Sequence, residues 1–279
     1  MNSFDQGDED AFPLGFTFVS YGVPIRVRGN DPELLEEARD LAEKVLLGNL
    51  EFIENSEPFE HSLNIGREGD NFLIGRNEDF ISRYEHKETV TELFVRLLRL
   101  IVSEYARGWV FVHAGAVAWN GKGIIIPANS GKGKTTLVVE LVKLGAEYYS
   151  DEYAVFDAEG NLHPFARELS IKGNGRVYQE QNGTPVETLG GRAGCDPVSV
   201  GLVVLTGYQK ERDWEHEKVT VGRGVMETIP HTIPFQQDAT FSLNVLKNAL
   251  SRAIILRGSR GEAAAAARNI IDFCDSNIT

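Results

Sequence analysis

An apolar run, GIIIP from Gly123 to Pro127, gives way to ANSGKGKTT and then to an amphipathic stretch ending at Leu144 and Gly145. No other feature restricts the fold of this chain so strongly. A strand that feeds a helix through a glycine-rich curl belongs to an α/β layer, because the helix must return across the sheet. Ala128, Gly133, Lys134 and Thr135 stand at the spacing of a phosphate-binding loop: a small residue, four free positions, then Gly-Lys-Ser/Thr. Gly131 and Gly133 allow dihedrals that a β-carbon penalises, so successive main-chain N–H groups can converge on phosphate oxygens. Lys134 brings a mobile positive charge, Thr135 a hydroxyl suited to magnesium, and the helix its positive dipole end. Asn129, Ser130, Gly131, Lys132, Gly133, Lys134, Thr135 and Thr136 are therefore the expected nucleotide-binding residues. Alanine at 128, where glycine is usual, costs little if its φ is negative and roughly 1 kcal/mol if positive. The plainer alternative is a glycine-rich turn that caps a helix and binds nothing.

The flanking sequence supplies the rest of such a layer. GWVFVHAGAVAWNGKGIIIP reads as two strands joined by a tight turn at Asn120-Gly121. A helix is expected from Gly133 to Leu144, then a short strand AEYYS that ends at Asp151, and a hairpin-like YAVFDAEGNLHPF. A buried strand over 198–205 and helices over 242–256 and 261–274 complete this part. Further upstream, two short alternating runs within 14–28 are separated by YGVP. Asp31 can cap a helix that Gly48 closes, and Thr89 with Glu92 at capping-box spacing marks a second helix, ended by Gly108. Between them, residues 50–85 are polar and turn-rich. The expected division is a smaller α+β region over 1–106, for acceptor binding, for assembly or simply to complete the core, and a nucleotide-binding domain over 107–279.

Composition narrows the partners. Against 41 acidic residues stand 28 basic ones, a net charge of −13, which argues against nucleic acid or an anionic membrane surface. Arg96, Arg99 and Arg107 interrupt the longest apolar candidates for a membrane span. The opening MNSFDQGDED lacks the apolar core of a secretory signal. Cys195 and Cys274 have neither ligand spacing nor the pattern of a disulfide framework. A cytoplasmic location is the expectation.

Binding a nucleotide does not name a reaction. The later strand VSVGLVVLTG ends without an acid, so the carboxylates of interest are Asp151 and Glu152. A crossover from the loop helix would bring the end of their strand beside the loop. One could orient or deprotonate an acceptor hydroxyl while the other helps with metal; a solvated acidic pair is the alternative. His113 lies among apolar neighbours on the strand ahead of the loop, where a hydrogen-bonded packing role competes with a catalytic one. The other histidines show no pairing, and no His/Cys cluster suggests zinc.

Taken together, VHAG before the hairpin, the phosphate loop, SDE, HPF and LSIKG, spread over residues 109–173, resemble the catalytic domain of HPr kinase/phosphorylase. The segment is closer still to HPr-kinase-related proteins of bacterial biosynthetic clusters, some of which phosphorylate lasso-peptide precursors. The resemblance covers about a quarter of the chain and does not extend with comparable strength to residues 1–100. It implies an α/β P-loop kinase domain of HPr-kinase type, preceded by a smaller α+β region, that uses ATP and Mg2+. The acceptor would be a serine or similar hydroxyl of a peptide, protein or small molecule. In the family's terms Lys134 contacts phosphate, Thr135 binds magnesium, Asp151 is the base, and His113 sits beside the phosphates and orients the acidic group. The hexamer of true HPr kinases suggests a homo-oligomer.

The match has departures. Glu152 stands where a second aspartate is usual, and could make good a missing metal charge. Ser170 replaces a magnesium-linked glutamate and Lys172 an arginine, which leaves open HPr itself as substrate and the reverse phosphorolysis. Two other classes stay in view: an ATP-binding regulatory or scaffold protein with little turnover, and an ATPase whose acceptor is water. Within 174–195, Arg176 and Arg192 belong to a glycine-rich stretch that reads either as a substrate loop or as ordinary surface.

Overall fold

The computed structural model describes residues 11–46, 49–55, 57–77, 79–129, 132–165 and 185–278. Gly48, Ser130, Gly131, Ser170, Lys172 and Arg176 lie outside them. Among the described residues the chain is mixed α/β, with two mixed sheets and six α-helices. It divides into two units, Met1–Gly108 and Trp109–Thr279.

In the first unit, β1 (Leu14–Ser20) and β2 (Val23–Gly29) form a hairpin. Its turn is Tyr21-Gly22, both at positive φ (48° and 75°), so Val23 and Pro24 fall inside β2 rather than in the connection. Helix α1 (Pro32–Val45) starts at Asp31, whose side chain accepts from the Leu34 N–H at 3.0 Å. Leu34, Ala38 and Ala42 form its buried stripe. The polar segment that follows contains β3 (Glu51–Ile53), β4 (His61–Glu68), β5 (Asn71–Arg76) and β6 (Asp79–Tyr84). The sheet order is β3-β1-β2-β4-β5-β6, with β2 and β4 parallel and the other pairs antiparallel. Helix α2 (Lys87–Tyr105) begins two residues before Thr89, and its N-cap His86 makes no side-chain cap bond. The capping-box spacing is therefore not used as a start. Burial of Val90 and the Lys87–Glu37 ion pair at 2.8 Å anchor the first turn instead.

The second unit carries the loop. Strands β7 (Val110–Trp119) and β8 (Lys122–Pro127) are joined by Asn120 and Gly121 at φ 50° and 72°, the double left-handed turn that matches strand twist. Helix α3 (Lys134–Lys143) follows, then β9 (Glu147–Ser150), β10 (Tyr153–Phe156) and β11 (Leu162–His163). After a short 3-10 turn at Val186–Leu189 come β12 (Ser199–Tyr208), β13 (Glu215–Val219) and α4 (Val221–Thr228). Two more 3-10 turns, Ile229–His231 and Ile233–Gln236, lead to α5 (Ala239–Leu250), β14 (Ile254–Arg260) and α6 (Ala263–Asn277). The sheet runs β11-β10-β7-β8-β12-β14-β13, with β9 paired to β7.

Strict alternation places this sheet between two helical layers. Ile124, Ile126, Leu202, Val204 and Leu256 pack with α3 and α6, while Ile125, Val203, Leu205 and Ile255 pack with α5. The helix expected over 242–256 ends at Leu250, and Ile254, Ile255 and Leu256 belong to β14. A short aliphatic run does not reveal its own period. Here it fills the slot between β12 and β13, where Leu202 opposes Ile254 and Val219 opposes Ile255. Among the described residues, no helix is long and apolar enough to cross a membrane.

Candidate nucleotide site

The loop between β8 and α3 is shaped at its two ends by different means. At its exit Gly133 takes φ 78° and caps α3, a left-handed conformation that suits glycine. At its entry Ala128 is not among the described residues of positive φ, and its methyl group is buried. Alanine therefore fits where glycine is usual. Lys134 is 7% exposed, and its ammonium folds back over the loop. It donates to the Ala128 carbonyl at 2.8 Å and the Asn129 carbonyl at 3.2 Å, and lies 3.4 Å from His113 Nε2. A buried ammonium needs such acceptors, since its desolvation is costly without them. His113 holds this place because β7 is pinned on both sides: Tyr153 opposes it on β10, and its carbonyl accepts from the Ala128 N–H at 3.4 Å.

Asp151 is the second centre. It is 2% exposed, and both carboxylate oxygens accept hydrogen bonds: Oδ2 from the Thr135 hydroxyl at 2.9 Å, Oδ1 from the Tyr148 phenol at 3.1 Å. Ser150 makes the turn that presents it, its hydroxyl accepting from the N–H groups of Glu152 (3.1 Å) and Tyr153 (3.0 Å). Glu152 is half-buried and tied by its main chain, its carbonyl accepting from the Ala114 N–H at 3.1 Å. The connection that delivers Asp151 differs in one respect from the simple crossover expected. β9 pairs antiparallel with β7, not with β8, so it runs parallel to β8 with β7 between them. The hairpin partner of β8 already occupies that edge, and the chain passes over it before Asp151 reaches Thr135.

The remaining expected residues fall into two groups. Asn129, Lys132 and Thr136 are exposed along the loop and the first turn of α3. Ser130 and Gly131 lie outside the described residues, as do Ser170, Lys172 and Arg176. Arg192 is at the surface in an ion pair with Glu147 at 2.5 Å. His163 of the HPF segment bonds Asp157 at 2.8 Å and meets the edge of Trp109, while Phe165 is fully buried against Phe111. Burial raises the Asp157 pKa, but the His163 and Asn161 hydrogen bonds prevail and hold it below its ordinary value. That histidine supports the β10–β11 corner.

Three neighbours of the loop carry no signal in the sequence. Tyr148 holds Asp151 from within β9. His231 lies beside a bridge in which Thr232 opposes Val112, a register that sets His231 opposite His113; burial lowers its pKa, with help from the Lys134 charge. Arg260, 127 residues beyond Gly133, donates to the Gly133 carbonyl at 2.9 Å. None stands at a motif spacing; Tyr148 reaches Asp151 from three residues before it, while the sheet order brings His231 and Arg260 here.

Residues and ligand can be matched on donor chemistry. A hydroxyl in contact with a carboxylate beside a buried ammonium and a helix N-terminus suits a magnesium-bound polyphosphate. Among the described residues no three His, Cys, Asp or Glu side chains cluster for a metal. The side chains here that could hold magnesium are the Thr135 hydroxyl and a neighbouring carboxylate. In comparisons with known proteins, the chain matches no protein-family model and no curated protein.

Proposed function

We propose that the Trp109–Thr279 unit is an Mg-ATP-dependent phosphotransferase acting on a serine or similar hydroxyl of a peptide, protein or small molecule. The observation that carries this reading is the bond between Thr135, at the head of α3, and the buried Asp151. A loop that only capped a helix would not require a carboxylate at its catalytic flank. The resemblance of residues 109–173 to HPr kinase/phosphorylase supports the same reading.

Loop N–H groups and the Lys134 ammonium, turned from the Ala128 and Asn129 carbonyls, would neutralise charge on the β- and γ-phosphates. Asp151 would accept the hydroxyl proton as the acceptor oxygen bonds to the γ-phosphorus, while the bond to the β–γ bridging oxygen breaks and ADP departs. The Thr135 and Tyr148 hydrogen bonds fix the orientation of that carboxylate. Thr135 and Glu152 would hold magnesium, which when bound would supply charge balance for the phosphates. His113 would hold the Lys134 ammonium at the mouth of the loop.

Labelled ATP and serine-containing acceptors test this directly. Lys134→Ala should lose nucleotide binding or turnover. Asp151→Asn should keep binding and lower transfer by about a hundredfold or more. Label released only as free phosphate would replace transfer by hydrolysis, and binding without turnover would leave a nucleotide sensor. Undiminished transfer by Asp151→Asn would remove that carboxylate from the mechanism.

A further inference from the structure

On the flank of β8 away from Asp151, the sheet ends in a second polar group. β12 and β14 run parallel to β8 and finish at the same edge, with Tyr208 in register with Arg260. Arg260 is 3% exposed, with one guanidinium nitrogen on the Gly133 carbonyl at 2.9 Å and the other on the Gly261 carbonyl at 3.0 Å. It forms no ion pair among the described residues; two carbonyls meet this buried cation directly, and the charge of Glu262 favours it against the cost of burial. Its guanidinium carbon lies 5.6 Å from the centroid of the Tyr208 ring. That ring is 46% exposed, and its hydroxyl donates to Glu262 Oε1 at 2.9 Å. Glu262 in turn lines a cavity of about 210 Å³ with Arg212, Trp214 and Asn269.

We propose that Arg260 and Tyr208 form the nucleoside end of the nucleotide site, the guanidinium facing the α-phosphate and the Tyr208 ring taking the heterocyclic base. The assignment rests on the nucleotide reading above and extends it along the sheet edge. Lys134 and Thr135 occupy the β,γ-end of the polyphosphate, so a cation reaching Gly133 from the β14 side meets the α-phosphate. An aromatic face backed by that cation and fixed through Glu262 offers a stacking surface to a base. The ligand then lies across the ends of β14, β12 and β8, with its γ-phosphate directed to Asp151 and the acceptor.

Inorganic tripolyphosphate, which has no nucleoside, separates the two readings. Both ATP and tripolyphosphate should bind the full-length chain in magnesium. Tyr208→Ala, at an exposed position, should weaken ATP about tenfold and leave tripolyphosphate unchanged. Tyr208→Phe, which keeps the ring and loses the Glu262 bond, should restore ATP affinity. If the unaltered chain binds neither ligand, the nucleotide reading itself falls. If it binds both and Tyr208→Ala weakens them equally, or weakens neither, the base platform falls while the loop stands.

Discussion

Gly133 joins local conformation to long-range packing in one residue. Its φ of 78° costs an L-residue about 1–2 kcal/mol. A β-carbon there would also lie 2.6 Å from the Arg260 guanidinium nitrogen that holds its carbonyl. Gly133→Ala is therefore expected to weaken ATP at least tenfold and to lower the midpoint of thermal unfolding by a few degrees. Ala128→Gly is the contrasting case, since the methyl is buried and the backbone unstrained. It should leave ATP affinity within about twofold, with at most a small loss of stability. Titration and thermal unfolding of both variants read the difference. Equal affinity in Gly133→Ala and the parent would mean that the left-handed turn does not shape the binding loop.

At the scale of elements, His61 makes part of the first unit sensitive to acid. It lies on β4, 8% exposed, with its ring 4.1 Å from that of Tyr105 at the end of α2. Neither ring nitrogen has a hydrogen-bond partner among the described residues. Burial lowers its pKa first, then the charge of Arg76 and, more weakly, Arg107, against the opposing pull of Glu60 and Glu104. The unfolded chain, with a histidine near about 6.5, thus takes up its proton at higher pH than the folded one. This contribution to stability is full above that value and falls as pH drops through it towards the lower folded pKa. Denaturant unfolding between pH 5 and 8 should show that slope, and His61→Phe should flatten it; an unchanged slope would place the titration elsewhere. The same scale shows what could be read from sequence. Asn120-Gly121 and Asp31 carry their turn and cap chemistry within a few residues, and the structure shows both. The start of α2, the strand identity of Ile254–Leu256 and the passage of the chain over β7 depend on distant partners. For the same reason Arg260 left no mark; Tyr148, though only three residues from Asp151, stands at no motif spacing, whereas Lys134, Thr135 and Asp151 were marked by theirs.

For the whole molecule, the division at Gly108 gives the last prediction. Every residue placed at the candidate site, from His113 to Glu262, belongs to the Trp109–Thr279 unit. That unit also has its own core on both faces of its sheet, through α3 and α6 on one side and α5 on the other. A segment of this size, carrying a closed core, is long enough to fold alone. A fragment beginning at Trp109 is therefore expected to unfold cooperatively and to bind ATP within about threefold of the full chain, as read by calorimetric titration. Phosphate transfer then reports separately on the first unit. If Met1–Gly108 recognises the acceptor, the fragment keeps ATP affinity but loses transfer to a peptide that the full chain phosphorylates. If both survive, the first unit serves something other than the acceptor. A well-folded fragment that no longer binds ATP would show that the nucleotide site needs residues upstream of Trp109.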